Sequence, residues 1–488
     1  MNDPTELWRH DAVSQAALRR AGDIAPGEAV ETAIERAQTV GPAVNAFAHT
    51  RFADARAEAT STPDDAPFAG VPFAVKDWKC TTEGEPSTWG MRAFVDISRT
   101  ASVTTELAYR YRRAGLVSIG RTSLPELAFG PPTTEPDAHG PCRNPWNPQL
   151  SVGGSSGGSA AVVAAGIVPV ANASDGGGSL RIPAACTGLV GLKVSRGRIS
   201  NSPGAEGRGT KVEGHIARSV RDVAAVLDAT AGALPGEPFG LASPTVAYAD
   251  RLTEPPAPLR IGFLTRAPGT MDAARSSPGS ANEAAVADVV ARLRRMGHEL
   301  DESHPTALDE PMRAANLYAA ERAALRTTIE AALGRPLEEA DVEPRTWAMF
   351  GLAAASTGPA VIEELGREQV WARRVASWWR RPGEPDGFDL LVTPTLGRDV
   401  PAIGELKETA ADPLGASVAG FPMAWFTYPF NVTGQPAISV PVVPATADSP
   451  PVSVQLVASI GREDLLLQVA AALEADVGWQ SWWAPGAS

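Results

Sequence analysis

Apolar residues recur along this chain with two periods, one typical of helices and one typical of short buried strands. In "AVETAIERAQTVGPAVNAF", Val30, Ile34, Ala37 and Val40 follow helical spacing, and residues 1 to about 60 continue in the same style. The run "VPFAVK", which ends at Lys76, predicts a strand. From there to about residue 200, short apolar runs alternate with Gly-rich turns, a pattern that predicts strands between helices.

The second half of the chain repeats this alternation. The segment 217–232, "ARSVRDVAAVLDATAG", predicts an amphipathic helix that stops at a glycine. After it, "LRIGFLT" predicts a strand, a helix follows that ends at Gly297, and residues 306–384 predict mostly helix. The pieces "FDLLVTPT", "QPAISVPVV" and "VSVQLVAS" predict strands before a closing helix, "EDLLLQVAAALEA". We therefore predict an α/β fold with a large mixed β-sheet covered by helices on both faces.

Charge and composition narrow the possible partners. The formal net charge is −13, which argues against binding to nucleic-acid backbones or anionic membranes. The first residues lack a secretory pattern, and no apolar run reaches the roughly 18 residues that span a bilayer. Cys80, Cys142 and Cys186 are odd in number and widely spaced, so we expect free thiols in a cytoplasmic protein. The histidines lack ligand spacing, and we expect neither a metal nor an organic cofactor.

Three features carry candidate chemistry. Lys76 directly follows an apolar strand, where burial lowers the pKa of an amine and makes it a base. The glycine-rich stretch 153–159, "GGSSGGS", places serines on backbone that can approach other groups closely. A second such turn, "SDGGGSLRIPAA", offers consecutive N–H groups just before Ser179, and such groups can form an oxyanion hole.

These motifs together resemble the amidase signature family. The likeness rests on "VKDW", "GGSSGGSAAVVAAG" and "SDGGGSLRIPAACTGLVGLK", and "CRNPWNP" and "FNVTGQPAISVPV" extend it over nearly the full length. At finer grain, "TTEPDAHGPCRNPWN" and "GREDLLLQVAAALEA" resemble the bacterial hydrolases of cyclic aminohexanoate oligomers. The resemblance implies one amidase domain over residues 1–488. Its parts are a helical N-terminal part (1–65), a signature core (66–235), a helical substrate-pocket region (306–384) and C-terminal strands with a helix (385–488).

The resemblance also implies a catalytic triad of a lysine and two serines. Lys76 matches the base, Ser155 the bridging serine after a cis peptide bond, and Ser179 the nucleophile that forms the acyl-enzyme. By the same resemblance, the N–H groups of Gly176, Gly177, Gly178 and Ser179 form the oxyanion hole. Three side chains support the triad, with Ser156 hydrogen-bonded to Lys76: Ser156, Asp175 and Arg181. Phe129 and the loop "AFGPPTTEP" are expected to wall the acyl pocket.

The family pattern has departures here, and other functions stay open. The turn reads Asp175-Gly176-Gly177-Gly178, where Thr or Ile is more usual at the second position. The alternatives are the glutamine-hydrolysing component of a glutamine-dependent tRNA amidotransferase and a catalytically silent amidase-like binding protein. A nucleophile elbow at Gly153–Gly157 lacks a preceding strand and a recognisable histidine partner. The expected partner is a small-molecule amide, and the resemblance implies a homodimer.

Overall fold

The computed structural model of the chain describes residues 4–204, 207–266, 279–310, 314–354, 356–380, 386–446 and 449–485. Its strands are β1 (Phe47–Thr50), β2 (Val71–Lys76), β3 (Leu116–Thr122), β4 (Val170–Asp175), β5 (Val190–Lys193), β6 (Val212–Ala217), β7 (Arg260–Phe263), β8 (Glu299–Glu302), β9 (Leu390–Pro394), β10 (Ala437–Val443) and β11 (Val452–Ala458). Its helices are α1 (Ala12–Ala21), α2 (Glu28–Thr39), α3 (Gly41–Val44), α4 (Phe52–Ser61), α5 (Arg92–Asp96), α6 (Glu106–Arg113), α7 (Gly157–Ala164), α8 (Arg181–Thr187), α9 (Val220–Thr230), α10 (Ser280–Arg295), α11 (Ala315–Leu333), α12 (Pro344–Ala353), α13 (Gly358–Ala376), α14 (Gly415–Gly420), α15 (Pro429–Thr433) and α16 (Glu463–Val477).

All eleven of these strands belong to one sheet, in the order β1-β3-β2-β4-β6-β5-β10-β11-β9-β7-β8. The sheet is mixed. Strand β2 runs parallel to β3 and β4, and β7 runs parallel to β8 and β9. The remaining pairs, from β4·β6 across to β11·β9 and at the β1 edge, are antiparallel. The predicted large mixed sheet is confirmed.

Side-chain alternation along the strands gives the sheet two buried faces. On β4, Val170 packs into one hydrophobic cluster, and its neighbour Ala171 packs into another on the opposite face. The first cluster contains side chains of α9, α10 and α16, and the second contains side chains of α2 and α7. The same division continues on β11, where Leu456 and Val457 enter different clusters. Helices therefore cover both faces, as predicted.

Two local predictions were wrong. The N-terminal part contains the strand β1 between α3 and α4, because three of its four residues pair with β3 at the sheet edge. The helix predicted from residue 217 begins at Val220 instead, since Ala217 is the last residue of β6 and the side chain of Ser219 accepts from the Asp222 N–H as an N-cap.

Residues 306–384 hold α11, α12 and α13, and positions 311–313, 355 and 381–384 lie outside the described residues. The single domain over residues 1–488 and its division into four parts stay predictions.

The glycine-rich stretch 153–159 is a tight corner that leads into α7. The peptide bond between Gly154 and Ser155 is cis, as the resemblance implied. A Cβ on Gly154 would collide with the carbonyl of Thr133, and one on Gly158 would lie 2.5 Å from the Ser123 nitrogen. Glycine is required at these positions because neighbouring backbone fills the space of a side chain.

Two further expectations concern the chain as a whole. Cys80, Cys142 and Cys186 are buried free thiols, in line with their wide spacing. Among the helices of the described residues, none combines the length and the apolar character that crossing a membrane would require.

Candidate active site

Lys76 lies at the carboxyl end of β2 and is almost fully buried, with 1% of its surface exposed. Its Nζ donates to Ser155 Oγ at 2.9 Å and to Ser174 Oγ at 2.9 Å. Burial lowers the pKa of Lys76 to about 7, although the charges of Glu213 and Asp175 act in the opposite direction. The amine is therefore available as a neutral base near neutral pH, as the sequence predicted.

The corner that carries Ser155 is joined to the turn that carries Ser179. The Ser156 N–H donates to the Ser179 carbonyl at 3.0 Å, and Ser155 is 4% exposed. The expected contact between Ser156 and Lys76 was wrong. The Ser156 hydroxyl donates to the backbone carbonyl of Ser174 at 3.2 Å and accepts from its N–H at 3.3 Å, because it points into β4. Ser174 supplies the second hydroxyl on Lys76 instead.

The turn from Asp175 to Ser179 presents backbone N–H groups beside a half-buried serine. Within the described residues, the N–H groups of Gly176, Gly177 and Ser179 make no hydrogen bond to a protein acceptor. The Gly178 N–H differs from the prediction, since it donates to Asp175 Oδ1 at 2.8 Å. This N–H is committed to the turn itself, so three of the four N–H groups predicted for the oxyanion hole lack a protein acceptor within the described residues.

Asp175 and Arg181 form a fully buried ion pair that fixes the turn. Arg181 donates through Nε and Nη2 to the two carboxylate oxygens of Asp175, each at 2.9 Å. Burial alone would raise the pKa of the Asp175 carboxyl, but the Arg181 guanidinium holds it well below its usual range. Asn431 accepts from Arg181 Nη2 at 2.7 Å, and Gln455 accepts from Nη1 at 2.5 Å. Asp175 and Arg181 therefore support the turn from behind, as expected.

Glu213 adds a carboxyl group to the surroundings of Lys76. It lies on β6 directly opposite Ser174, and it accepts from Asn172 Nδ2 at 3.3 Å. Burial raises the pKa of the Glu213 carboxyl, and the charge of Lys76 opposes this shift. Carboxyl groups on the adjacent strand β4 and on β6, one strand further across the sheet, thus set the electrostatic environment of the lysine.

Phe129 lies in a separate hydrophobic cluster that adjoins the turn through aromatic rings. It packs with side chains of α11, and the Arg322 guanidinium carbon lies 4.6 Å from its ring centroid. Tyr318 of α11 and Tyr428 have ring centroids 5.9 Å apart, and Tyr428 borders Gly177. Tyr428 therefore borders the turn directly and Tyr318 packs on it, while Phe129 lies on the other contact of Arg322. That Phe129 walls the acyl pocket stays a prediction.

Sequence analysis did not identify several of these residues, because no local motif marks their roles. Ser174 was visible only as the first letter of the second glycine-rich motif, and Asn431 only as part of a family-like stretch. Gln455 lies inside an apolar strand pattern. A polar residue buried at such a position needs a hydrogen-bond partner, and this need was the one sign in the sequence that could have identified it. No pattern singled out Glu213 or Arg322. For metals, the described residues hold no group of three or more His, Cys, Asp or Glu side chains that could bind an ion.

Comparison with known proteins gives matches over almost the whole chain. A family model described as Amidase matches residues 28–467. The 6-aminohexanoate-cyclic-dimer hydrolase of Paenarthrobacter ureafaciens is 40% identical over 487 residues, which cover 97% of this chain and 96% of that protein.

Two solved structures extend the similarity to the fold. A 6-aminohexanoate cyclic dimer hydrolase complexed with substrate superposes with a TM-score of 0.93 at 38% identity, over 99% of this chain and 100% of that one. A bacterial aryl acylamidase of the amidase signature family superposes with a TM-score of 0.83 at 25% identity, over 98% of each chain.

Proposed function

The chain belongs to the Amidase family and is a hydrolase of amide carbon–nitrogen bonds, and on this premise we propose that it works through a seryl acyl-enzyme. Ser179 is the nucleophile, Ser155 the proton bridge and Lys76 the base. The N–H groups of Gly176, Gly177 and Ser179 stabilise the oxyanion. The observation that carries the proposal is the 2.9 Å distance between Lys76 Nζ and Ser155 Oγ in a buried setting.

The proton steps follow from this arrangement. Neutral Lys76 accepts the Ser155 hydroxyl proton. One of its own N–H groups donates to Ser174 Oγ, and this bond orients the nitrogen lone pair toward the Ser155 hydroxyl. Ser155 accepts the Ser179 proton as Ser179 Oγ attacks the amide carbonyl. The tetrahedral intermediate expels the amine, which takes up the relayed proton, and water then hydrolyses the ester on Ser179. Protonation of Lys76 stops the first transfer, so activity falls as the pH drops below about 7.

The substrate is a small carboxylic amide. Two relatives at 40% identity carry the name 6-aminohexanoate-cyclic-dimer hydrolase, so the cyclic dimer of 6-aminohexanoate is the first compound to assay. The aromatic residues that flank the turn, Tyr318 and Tyr428 among them, support a largely apolar substrate. Hydrolysis of a cyclic amide would open the ring to a linear amino acid with no second product.

Labelling with a fluorophosphonate serine probe tests the mechanism. We expect an adduct on Ser179 in the wild type, no adduct at that position in Ser179→Ala, and strongly slowed labelling in Lys76→Ala. Amide hydrolysis should fall by about 10⁴-fold or more in Ser179→Ala, as for other serine nucleophiles. Lys407→Ala serves as the lysine control, because this side chain is exposed and pairs with Asp137 at the surface.

Other outcomes separate the alternatives. An adduct on Ser155 would reverse the roles of the two serines. Folded protein without any adduct and without hydrolysis of any amide would favour the catalytically silent binding protein. Glutamine hydrolysis that appears when a partner protein is added would favour the tRNA amidotransferase component.

A further inference from the structure

Arg322 on α11 is a cation held between aromatic rings. Its guanidinium carbon lies 4.6 Å from the ring centroid of Phe129 and 5.0 Å from that of Tyr318. Its Nη1 donates to the Tyr318 carbonyl at 3.0 Å. Its Nε is buried and, among the described residues, has no hydrogen-bond partner. A planar guanidinium between two rings is oriented, and part of its donor set is unused.

Glu321, the carboxylate whose charge acts on Arg322, is already engaged by other cations. Glu321 pairs with Arg208 at 3.0 Å and with Lys211 at 3.4 Å, and Glu368 pairs with Arg208. Within the described part of the chain, no carboxylate lies at ion-pair distance from Arg322. One turn further along α11, Arg326 has a partner, since Glu330 accepts from it at 2.9 Å.

An unpaired and partly buried cation is costly unless something else neutralises it. Burial lowers the pKa of Arg322, although the side chain remains a cation at neutral pH. Removing a charge from water is unfavourable unless a partner compensates it. A bound anionic group would neutralise this charge.

The position of Arg322 connects it to the proposed catalytic turn. Tyr318 packs on Tyr428, and the Cδ2 atom of Tyr428 lies 3.5 Å from the place of a Cβ on Gly177. Contacts therefore connect the turn through Tyr428 and Tyr318 to the guanidinium, which Phe129 contacts as well. An alkyl chain lying along these side chains would carry a terminal group to Arg322.

We propose that Arg322 is a specificity-determining residue that binds a carboxylate at the end of the substrate remote from the scissile amide. Linear amides whose alkyl chain ends in a carboxylate then gain a contact that a neutral cyclic amide lacks, and the guanidinium forms two parallel N–H···O bonds with the carboxylate. This inference rests on the proposed function, because it describes the far end of the same substrate site. A neutral carbonyl oxygen could accept only part of this donor set.

Matched substrates test the proposal. The first series consists of p-nitroanilides of α,ω-dicarboxylic acids with four to seven carbons, each with a free carboxylate or as the methyl ester. In the second series the carboxylate or its methyl ester is carried by the amine part of an N-acyl ω-amino acid. For the wild type, kcat/KM should be about ten- to hundredfold higher for the carboxylate than for the ester in at least one series, mainly through KM.

Variants at two arginines of α11 separate specificity from structure. Arg322→Met should reduce the ratio of kcat/KM for the carboxylate to kcat/KM for the ester to about one, and Arg322→Lys should retain part of the preference. Arg326→Met is the matched control and should keep the wild-type preference. If Arg322→Met lowers the rates for carboxylate and ester equally, Arg322 has a structural role and the proposal is wrong.

Salt dependence provides a second measurement that needs no variant. For the wild type, KM for the carboxylate should rise between low and high ionic strength, while KM for the ester stays constant. Equal salt dependence for the two compounds, or a preference for the ester, would overturn the proposal. Labelling of Ser179 by a neutral serine probe reports on the catalytic mechanism independently, so failure of the proposed function is recognised separately.

Discussion

At the scale of single residues, the pKa of Lys76 is the balance of opposing influences. Burial favours the neutral amine, while the carboxyl groups of Glu213 and Asp175 favour the ammonium. Asp175 is paired with Arg181, so much of its charge is compensated. Glu213 has an amide, that of Asn172, as its hydrogen-bond partner instead. Glu213 is therefore the neighbour whose charge should affect Lys76 most directly.

Glu213→Gln should lower the pKa of Lys76 below about 7, because removal of a negative charge destabilises the ammonium. The acid limb of the kcat/KM profile should move to lower pH by about one unit, while the plateau at high pH is retained. Glu363→Gln, at an exposed position on α13, should leave the profile unchanged. An acid limb that stays in place, or moves to higher pH, would show that Glu213 does not set the pKa of this amine.

The site residues that the sequence predicted lie in local motifs, whereas those that it did not predict depend on neighbours that are distant in the sequence. Lys76 and Ser155 lie in motifs, so a pattern of adjacent letters predicts them. Arg322 reads as one more arginine in a charged helix. Its significance depends on Phe129 and Tyr428, which lie far away in the sequence, and on acidic neighbours that are engaged elsewhere. Such an environment exists only after folding and leaves no local pattern.

At the scale of elements, the conformation of the turn between β4 and α8 depends more on Gly178 than on the neighbouring glycines. Gly178 has φ +126°, and a Cβ there would collide with the Thr427 hydroxyl and lie 2.6 Å from Ile182 Cδ1. Its N–H also donates to Asp175. The sequence predicted a glycine-rich turn here, but it could not tell which glycine meets other atoms.

Gly178→Ala should distort this turn and lower kcat/KM by at least about 100-fold, comparable to the loss of an oxyanion donor. Its free energy of unfolding should fall by about 1–3 kcal/mol through backbone strain and the steric conflict. Gly334→Ala is the control, because φ is +70° there and a Cβ would meet no atom within 4 Å. It should keep full activity. Activity of Gly178→Ala near that of the control would refute this account of the turn.

Helices and strands were predictable where a regular apolar pattern extends over many residues. They were less predictable where strand pairing determines the secondary structure. The closing helix α16 and the strands β9 to β11 follow their sequence patterns. Strand β1 has four residues, too few to establish an alternation, and it exists because β3 offers an edge. The start of α9 was misplaced because Ala217 fits a helix and a strand equally well, and only its pairing in β6 distinguishes them.

At the scale of the whole molecule, the chain ends meet behind the helix that follows Ser155. Trp8 and Trp483 have ring centroids 4.8 Å apart, and Arg36 and Arg218 lie over these rings at 3.8 Å and 3.7 Å. The same arginines donate to carbonyl groups at the end of α7, including that of Val163 from Arg218 at 3.0 Å. The two chain ends therefore help to fix the far end of α7, whose first turn follows the active-site corner.

Trp8 and Trp483 should stabilise the fold cooperatively and without a direct part in catalysis. In a double-mutant cycle, Trp8→Ala and Trp483→Ala should show a coupling free energy of about 0.5–1.5 kcal/mol in chemical unfolding, because each removes the other's ring partner. Trp8→Ala combined with Trp378→Ala should be additive, since Trp378 stacks on Phe388 in another part of the molecule. The acid limb of the pH–rate profile should be the same in every folded variant, because Lys76 keeps its neighbours. Additive losses for Trp8 and Trp483, or a displaced acid limb, would show that the chain ends do not act as one unit at the end of α7.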